Sequence, residues 1–549
     1  CIRDSASAAT QTRHRVGSVS PVSGLCVTCV AGCIGLCEVG RSAIRGAEVM
    51  YPQPYGEITA GAEKEYPVDL SHLNIMGSAV GAVGVEATSE AAVFPAVDLS
   101  VSFGAESEIN CGLPIIIPGL GSTDVARKHW DEIAVGAAVS GVPLTIGENV
   151  CGMDDGAKLL NGRVGRSPDM EHRVRIYRGW QRDGLGEVIV QSNVEDTSLG
   201  VLEYAIEDLG VETVELKWGQ GAKDIGGEVK INNLKKAQRL FERGYIVLPN
   251  PTEAHVIEAF RKGRFKEFER HSRLGMVTEE DFARRVKELR ARGAKRVFLK
   301  TGAYRPADLA RAVAFCSKYR LDLLTVDGAG GGTGMSPWRM MNEWGVPALE
   351  LWSLTREYCE RLARRGAYVP AVAFAGGITM EDQMFKALAL GAPYAKLVGM
   401  ARAPLTAAMV GKTVGEQIRT GSLAAQYRQY GASVEEVFLG AFSLLKRYGD
   451  KFQEIPPGAI GVCTYFERLG QGLRQLMAGA RKFALCHLER DDLAALTREA
   501  AEVTGIAYVM DLDREEVDRI LMGQGAMARE RQLSSVRKET TRAWRPCPR

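Results

Sequence analysis

Short apolar runs alternate with amphipathic segments between residues 97 and 405. Most of these runs are too short for a helix, are rich in β-branched residues and end in Gly, Asn or Asp, so they predict strands. In chain order they are VDLSVSFGA, LPIIIPG, VPLTIGEN, EVIVQSN, TVELKWG, YIVLPN, RVFLKTG, LDLLTVDG, AVAFAGG and YAKLVGMA.

Several of the segments between these runs carry helix signals. In TEEDFARRVKELRARG, Thr278 is a predicted N-cap, an apolar stripe follows, and Gly293 is the predicted stop. TMEDQMFKALALG repeats the pattern from Thr379, and Pro306 fits the first turn of a helix in YRPADLARAVAFCSKY. Strands that alternate with helices of this length predict a parallel sheet with right-handed crossovers.

The number of strand–helix units fits an α/β fold of the (β/α)8 TIM-barrel type, with some extra strands, better than it fits an open sheet. We therefore predict four regions along the chain: a cysteine-rich N-terminal segment (1–95), the barrel (96–405), a C-terminal helical region (406–525) and a basic tail (526–549).

Composition and charge narrow the class of protein. The chain has 549 residues, of which 46% are hydrophobic and 25% charged, and its net charge of +2 gives no electrostatic reason to expect nucleic acid or a membrane as partner. No apolar run has the length of a bilayer span, and no basic stretch precedes an apolar one as in a signal peptide. These features predict a soluble, cytoplasmic protein.

Three late strands end in glycine-rich turns, VDGAGGGTG, FAGGI and LVGMAR. Glycine allows backbone N–H groups to approach a ligand closely, and the start of the next helix adds the positive end of its dipole. Phosphate is therefore the expected ligand. Loops after the last two strands are also where such barrels hold phosphate. The stretch GSAVGAVG lacks a convincing preceding strand and a later acidic partner, so we interpret it as packing rather than a dinucleotide loop.

Four of the twelve cysteines, Cys26, Cys29, Cys33 and Cys37, crowd into CVTCVAGCIGLC. Disulfides are rare in large cytosolic chains, so the cluster predicts a metal site. Structural zinc sites normally use two pairs separated by a longer stretch, whereas four close thiolates with small residues between them suit a [4Fe–4S] cluster better. Zinc and the absence of any metal remain alternatives.

The ordered motifs DGAGGGTGMSP, WGQGAKDIGGE, FAGGI and KLVGMA resemble the FMN-binding synthase domain of the glutamate synthase family, over about residues 97 to 500. VSFGAES resembles that family's first barrel strand, and YFERLGQGLRQLMA its helix after the barrel. The resemblance implies that the glycines bind FMN. It places Ser102, Phe103, Gly104 and Ala105 beside the flavin, Lys217, Gln220 and Lys223 near flavin and 2-oxoglutarate, and Gly331, Gly332, Gly376, Gly377, Gly399 and Met400 around the phosphate and ribityl chain. Lys300 lies where many FMN barrels place a cation near the flavin ring.

By the same resemblance, the chain would be an FMN-dependent oxidoreductase acting on CH–NH2 donors, with Lys217, Lys223 and Lys300 as catalytic residues. It would convert 2-oxoglutarate to L-glutamate by reductive amination through 2-iminoglutarate. Ammonia would come from solution or from a separate amidotransferase subunit. Electrons would come from ferredoxin or a separate NAD(P)H-oxidising subunit, through the iron–sulfur cluster.

The sequence departs from the family in two places. The family's three cluster cysteines after the last barrel strand are absent, and Ile225 replaces an acidic residue in the lysine loop. An N-methylglutamate synthase-type subunit using methylamine, or an electron-transfer subunit without substrate chemistry, are therefore alternatives. A 2-hydroxyacid oxidase would be expected to place a histidine near the flavin, and none of the four histidines in the barrel region, His129, His172, His255 and His271, follows a predicted strand.

Overall fold

The computed structural model describes residues 6–7, 13–14, 31, 38–46, 50, 61–62, 64–182, 184–221, 225, 228–333 and 336–523. Eight parallel strands form a closed barrel in which each strand pairs with the next along the chain and the last pairs with the first. They are β1 (Ile115–Leu120), β2 (Leu144–Ile146), β3 (Val188–Ser192), β4 (Thr213–Lys217), β5 (Arg296–Thr301), β6 (Leu323–Asp327), β7 (Ala371–Ala375) and β8 (Ala395–Gly399). The predicted (β/α)8 barrel is confirmed.

Helices surround the barrel. They are α1 (Trp130–Val139), α2 (Pro168–Trp180), α3 (Val201–Glu207), α4 (Glu279–Ala291), α5 (Pro306–Lys318), α6 (Ala348–Arg364), α7 (Glu381–Leu390) and α8 (Arg402–Arg419). Shorter helices precede four of them: Asp124–Lys128 before α1, Val150–Met153 before α2, Val194–Leu199 before α3 and Trp338–Glu343 before α6. A hairpin of Lys158–Leu160 and Arg163–Arg166 also lies before α2.

Local capping signals explain where these helices begin. The Thr278 side chain accepts the N–H of Asp281 (3.1 Å) and starts α4, as predicted, and Pro306 opens α5. The predicted cap of α7 is wrong by one residue. Met380 is its N-cap, and the Gln383 side chain accepts the N–H groups of both Thr379 (2.7 Å) and Met380 (3.0 Å).

Two predicted strands lie outside the barrel. Val101–Phe103, from the run VDLSVSFGA, pairs antiparallel with Ile109–Cys111 and forms a hairpin, so the prediction that it is the first barrel strand is wrong. Ile246–Leu248 belongs to an insertion between β4 and α4, a three-stranded antiparallel sheet with Phe268–His271 in the centre and Glu228–Ile231 on the other side. Two helices, Leu234–Glu242 and Ala254–Arg261, connect its strands.

The hairpin of residues 101–111 closes the amino-terminal mouth of the barrel. The Phe103 ring packs on Phe298 inside the barrel (5.9 Å between centroids). The Ala105 N–H donates to Asp322, just before β6 (2.9 Å), and Arg296, the first residue of β5, donates to Ser107 (2.8 Å). The hairpin therefore closes the barrel at this end, and the ligand-accessible end is the opposite one.

The described chain after α8 is mostly helical, as predicted. A long helix, α9 (Pro457–Gly479), packs along α1 and α8, where Gly411 allows close approach because a Cβ there would lie 2.8 Å from the Pro457 carbonyl oxygen. The other α-helices of this part are Ala425–Arg428, Val434–Val437, Ala441–Tyr448, Arg498–Thr504 and Arg514–Leu521. α8 runs across the boundary predicted at residue 405, and the four-region division stays a prediction.

The described N-terminal part joins this outer layer. Leu73–Ile75 pairs antiparallel with Leu493–Ala495, and farther upstream lie the helix Glu38–Arg45 and the short pair Ala6–Ser7 and Arg13–His14. Short 3-10 helices occur at Leu70–His72, Phe94–Ala96, Gly449–Glu454, Leu485–His487 and Arg490–Asp492. Among the residues that the structure describes, none of the helices combines the length and apolar character needed to cross a bilayer.

Candidate functional site

A cavity opens at the carboxyl-terminal ends of the barrel strands, where (β/α)8 barrels place their chemistry. Its wall contains the ends of β1 and β5–β8, the loops after β2 and β4, and parts of the insertion. Seven of the predicted site residues come together there: Gln220, Lys300, Gly331, Gly332, Gly376, Gly377 and Gly399.

The glycines of the β6 and β7 loops do two different things. Gly328 and Gly376 let the loops interlock, since a Cβ on Gly328 would lie 2.4 Å from the Ala348 Cα and one on Gly376 would lie 2.8 Å from the Gly328 carbonyl oxygen. Gly377 instead has open space at its Cβ position and a φ of +102°, so its backbone faces the cavity. Gly377 and Gly331 therefore leave bare backbone for a ligand, and Gly332 also lines the cavity.

Replacing Gly376 with alanine is expected to lower the free energy of unfolding by about 3 kcal/mol, because alanine at φ +128° is strained and its methyl group meets the backbone of residue 328. Guanidinium denaturation measures the change. Gly179 on α2 is the matched control. It has no atom within 4 Å of its Cβ position, so alanine there should stabilise the helix by about 0.5–1 kcal/mol. An unchanged midpoint for Gly376→Ala would contradict the tight loop contact.

Lys300 is a buried cation in the cavity wall, near the end of β5. Its side chain is 6% exposed and its Nζ lies 3.0 Å from Asp327 Oδ2, at the end of β6. Burial disfavours the ammonium, but Asp327 and then Glu215 outweigh it and raise the pKa of Lys300 above its ordinary value. Burial in turn raises the pKa of Glu215, which Gln191 contacts at 2.5 Å. A polar layer thus separates the cavity from the apolar lower barrel.

Lys217, at the end of β4, lies between two oxygen acceptors beside the cavity. Its Nζ donates to Glu148 Oε1 (2.7 Å) and Gln220 Oε1 (2.9 Å). The Gln220 amide continues the chain to Thr333 Oγ1 in the β6 loop (2.9 Å). Although burial opposes ionisation, Lys217 lowers the pKa of Glu148 to about 2. Glu148 is therefore a fixed carboxylate at neutral pH, and it holds the ammonium in position.

The insertion sheet supplies one more charged group to the cavity wall. Arg270, on the central strand, is 1% exposed and lies 5.1 Å above the ring of Tyr245. The Tyr245 hydroxyl donates to Asn149 Oδ1 (3.2 Å), and Asn149 N–H donates to Asp196 Oδ2 (2.8 Å). Burial raises the pKa of Asp196 to about 7, so this acid changes charge near neutrality.

Replacing Asp196 with asparagine is expected to make stability less dependent on pH between 5 and 8. The folded protein binds the Asp196 proton more tightly than the unfolded chain, so this group's stabilisation is full below about pH 4 and is lost as the pH rises towards 7. The loss between pH 5 and 8 is about 3 kcal/mol. Asparagine keeps the acceptor oxygen but does not titrate. Urea denaturation of both proteins across this range measures the difference, and parallel pH profiles would contradict the assignment.

Several predicted site residues lie elsewhere. Ser102, Phe103, Gly104 and Ala105 belong to the hairpin at the amino-terminal mouth, opposite the cavity, so their predicted contact with flavin is wrong. Met400 is 1% exposed and belongs to the hydrophobic core, and it is not among the described residues of the cavity wall. Lys223 and the four cysteines Cys26, Cys29, Cys33 and Cys37 lie outside the described residues. In the part that is described, no group of three or more His, Cys, Asp or Glu side chains could hold a metal ion.

The segment of residues 64–75, with Gly61 just before it, follows the rim of the cavity. A Cβ on Gly61 would lie 3.0 Å from the Arg402 guanidinium and 3.3 Å from the Gly330 carbonyl oxygen. Lys64 forms an ion pair with Glu343 (2.6 Å), and the Leu70 carbonyl accepts a hydrogen bond from Lys386 on α7 (3.0 Å). The described chain therefore enters the barrel domain on the cavity side.

Sequence reasoning missed three charged residues of the site. Glu148 and Asp327 each end an apolar run, TIGE and LLTVD, which is the same signal that identified Lys217 and Lys300. Arg270 lies within the charged stretch FKEFERHSR, whose composition indicates an exposed loop. Only the fold of the insertion explains why it is buried.

Parts of the chain are similar to known proteins. The profile of the conserved region in glutamate synthase matches residues 270–412. No curated protein matches the chain. Similar solved structures include a double mutant of flavocytochrome b2 with pyruvate bound (15% identity, 78% of this chain and 77% of that chain, TM-score 0.43) and a lactate oxidase from Pediococcus acidilactici (14%, 75% and 81%, 0.40). Another is a soluble mutant of (S)-mandelate dehydrogenase from Pseudomonas putida (13%, 78% and 88%, 0.39).

Proposed function

We propose that the protein is an FMN-dependent oxidoreductase of the glutamate synthase type, which converts 2-oxoglutarate and ammonia to L-glutamate. The observation that carries the proposal is the cavity itself, in which three glycine loops at the ends of β6–β8 face a buried lysine at the end of β5. The match of residues 270–412 to the conserved region in glutamate synthase covers those same four strands.

The described residues fit FMN. Gly377 presents bare backbone just before α7, and Gly399 and Arg402 line the wall at the start of α8, which is the arrangement that binds phosphate in such barrels. Gly331 and Gly332 leave room beside them for the ribityl chain. Lys300 would face the ring and stabilise negative charge on it. When bound, FMN supplies hydride to an acceptor carbon.

The side of the cavity under the insertion would hold the substrate. Lys217 can donate a hydrogen bond to the keto oxygen of an oxo acid, with Glu148 and Gln220 fixing its ammonium at 2.7 and 2.9 Å. None of the described residues in the cavity wall is a histidine, the base expected of a 2-hydroxyacid oxidase. The lysine–carboxylate pair therefore favours chemistry on an oxo or imino acid.

The proposed reaction also needs a source of electrons and a source of ammonia. Cys26, Cys29, Cys33 and Cys37 would hold the iron–sulfur cluster that receives electrons from ferredoxin or a separate NAD(P)H-oxidising subunit. The position of Gly61 and of residues 64–75 along the cavity rim supports an approach of the N-terminal segment from this side. Ammonia would arrive from solution or from an amidotransferase subunit.

Anaerobic purification followed by absorption spectroscopy and quantitation of FMN, iron and zinc tests the proposal. We expect one FMN and about four irons per chain, and oxidation of the chemically reduced protein by 2-oxoglutarate plus ammonia. Faster oxidation with methylamine would indicate an N-methylglutamate synthase-type subunit. Flavin that is reduced but not oxidised by either mixture would indicate an electron-transfer subunit. Absence of flavin would refute the proposal.

A further inference from the structure

A short segment of the N-terminal part, Gly61 and residues 64–71, crosses the corner of the cavity where the glycine loops meet, and we call it the strap. At one end, a Cβ on Gly61 would lie 3.0 Å from the Arg402 guanidinium, at the start of α8. At the other end, the Leu70 carbonyl accepts a hydrogen bond from Lys386 on α7 (3.0 Å). The strap therefore joins the elements that follow β7 and β8, where the proposed phosphate site lies.

The middle of the strap is attached to the elements that follow β6. The Lys64 N–H donates to Asn342 Oδ1 (3.1 Å), and the Lys64 ammonium forms an ion pair with Glu343 (2.6 Å). The side chains of this pair are 22% and 29% exposed, so water screens it less than an open surface pair. The Tyr66 ring packs over Gly330, since a Cβ on that glycine would lie 3.8 Å from Tyr66 Cε2.

A second cavity, of about 340 Å³, lies between the strap and the glycine loops. Tyr66, Val68 and Leu70 line it on one side, and Gly376 and Gly377 line it on the other. The same two glycines line the first cavity, so the β7 loop separates the two spaces. Of residues 64–71, only Val68 is buried. The strap is therefore held by a few separate contacts and can open without disturbing the barrel core.

We propose that the strap closes over the phosphate end of FMN and has to open before the cofactor can leave. This inference rests on the proposed function, because it assumes that Gly377, Gly399 and Arg402 hold the FMN phosphate. Gly61 covers the guanidinium of Arg402, and a cation and an anion that are shielded from water attract each other more strongly. Opening the strap breaks the Lys64–Glu343 pair.

The rate of FMN release tests the strap in the purified flavoprotein, as the rise in flavin fluorescence after dilution. Lys64→Glu is expected to speed release about 10-fold, because two carboxylates then repel each other where an ion pair was. Adding Glu343→Lys restores opposite charges and should restore the slow rate. The matched control is Lys295→Glu. Lys295 pairs with Glu212 at the same distance (2.6 Å), before β5 and far from the strap, and this variant should release FMN within twofold of the unchanged rate.

A second variant tests the contact with Arg402. Gly61→Ala is expected to speed release about 10-fold, because the methyl group would displace the guanidinium. In an Arg402→Gln background the same change should have no further effect. Gly81→Ala is the matched control for backbone strain. Gly81 also has a positive φ (+72°, against +107° at Gly61), but no atom lies within 4 Å of its Cβ position, so its release rate should not change.

The outcomes separate the strap from the proposed function. Equal release rates in Lys64→Glu, Gly61→Ala and the unchanged protein, with flavin bound in all three, would overturn the strap and keep the flavin chemistry. Failure of Glu343→Lys to restore the slow rate would also overturn it. If Gly61→Ala does not fold, the Lys64 and Glu343 variants decide alone. Absence of flavin from the unchanged protein would refute the proposed function, and the strap with it.

Discussion

Replacing Lys300 with methionine is expected to lower the free energy of unfolding by about 3–5 kcal/mol, because the change removes one partner of a buried ion pair and leaves the other without compensation. The Lys300 side chain is 6% exposed and lies 3.0 Å from Asp327. It also offsets the negative charge of Glu215, which is fully buried in the layer below. Methionine has a similar shape, so the loss reports charge rather than volume.

Guanidinium denaturation of the flavin-free protein measures this effect without any contribution from the cofactor. Lys318→Met is the matched control. Lys318 is 63% exposed and pairs with Glu279 on the surface, so the free energy of unfolding of this variant should differ little from that of the unchanged protein. The Lys300→Met deficit should be larger at pH 8 than at pH 5, since Glu215, whose pKa burial raises, can take up a proton at the lower pH. A small, pH-independent loss would show that the polar layer does not depend on Lys300.

The sequence predicted the barrel well because its strands are buried on both sides. Runs such as LPIIIPG and LDLLTVDG are uninterrupted apolar stretches that contain β-branched residues and end in glycine. This pattern is typical of parallel strands covered by helices. VDLSVSFGA has the same local character, yet it forms a hairpin across the opposite mouth. Residues 101–103 lie outside the barrel because they pair with residues 109–111. Hydrophobic periodicity gives no information about which strands pair with each other.

The site was predictable only where chemistry coincided with a strand end. Lys217 and Lys300 follow apolar runs, and their location in β4 and β5 is confirmed. Arg270 gave no such signal, because the insertion buries a segment whose charge indicates exposure. The sequence located the glycines of the loops but did not show which of them pack the loops together and which face the cavity. Gly376 packs against the β6 loop and Gly377 has open space beside it, a distinction that depends on tertiary contacts.

Replacing Lys217 with alanine is expected to lower kcat/KM for 2-oxoglutarate at least about 1,000-fold, a loss of roughly 4 kcal/mol of transition-state stabilisation. Its ammonium is fixed by Glu148 and Gln220 at the end of β4, where it would polarise the keto oxygen. FMN content should not change, since the glycine loops lie at the ends of β6–β8. Steady-state kinetics and flavin quantitation on one preparation measure both quantities.

The interpretation of that loss depends on what Lys217 does for Glu148. Burial raises the pKa of Glu148, but Lys217 lowers it to about 2, so the carboxylate is charged. If the lysine only neutralises this charge, adding Glu148→Gln to Lys217→Ala should restore most of the activity. If the lysine contacts the substrate, the double variant should stay about as inactive as Lys217→Ala. We expect the second result. Lys295→Ala, at an exposed lysine before β5 and far from the cavity, should leave kcat/KM unchanged. Recovery in the double variant would make Lys217 a positioning residue and transfer the polarising role to another donor in the cavity wall.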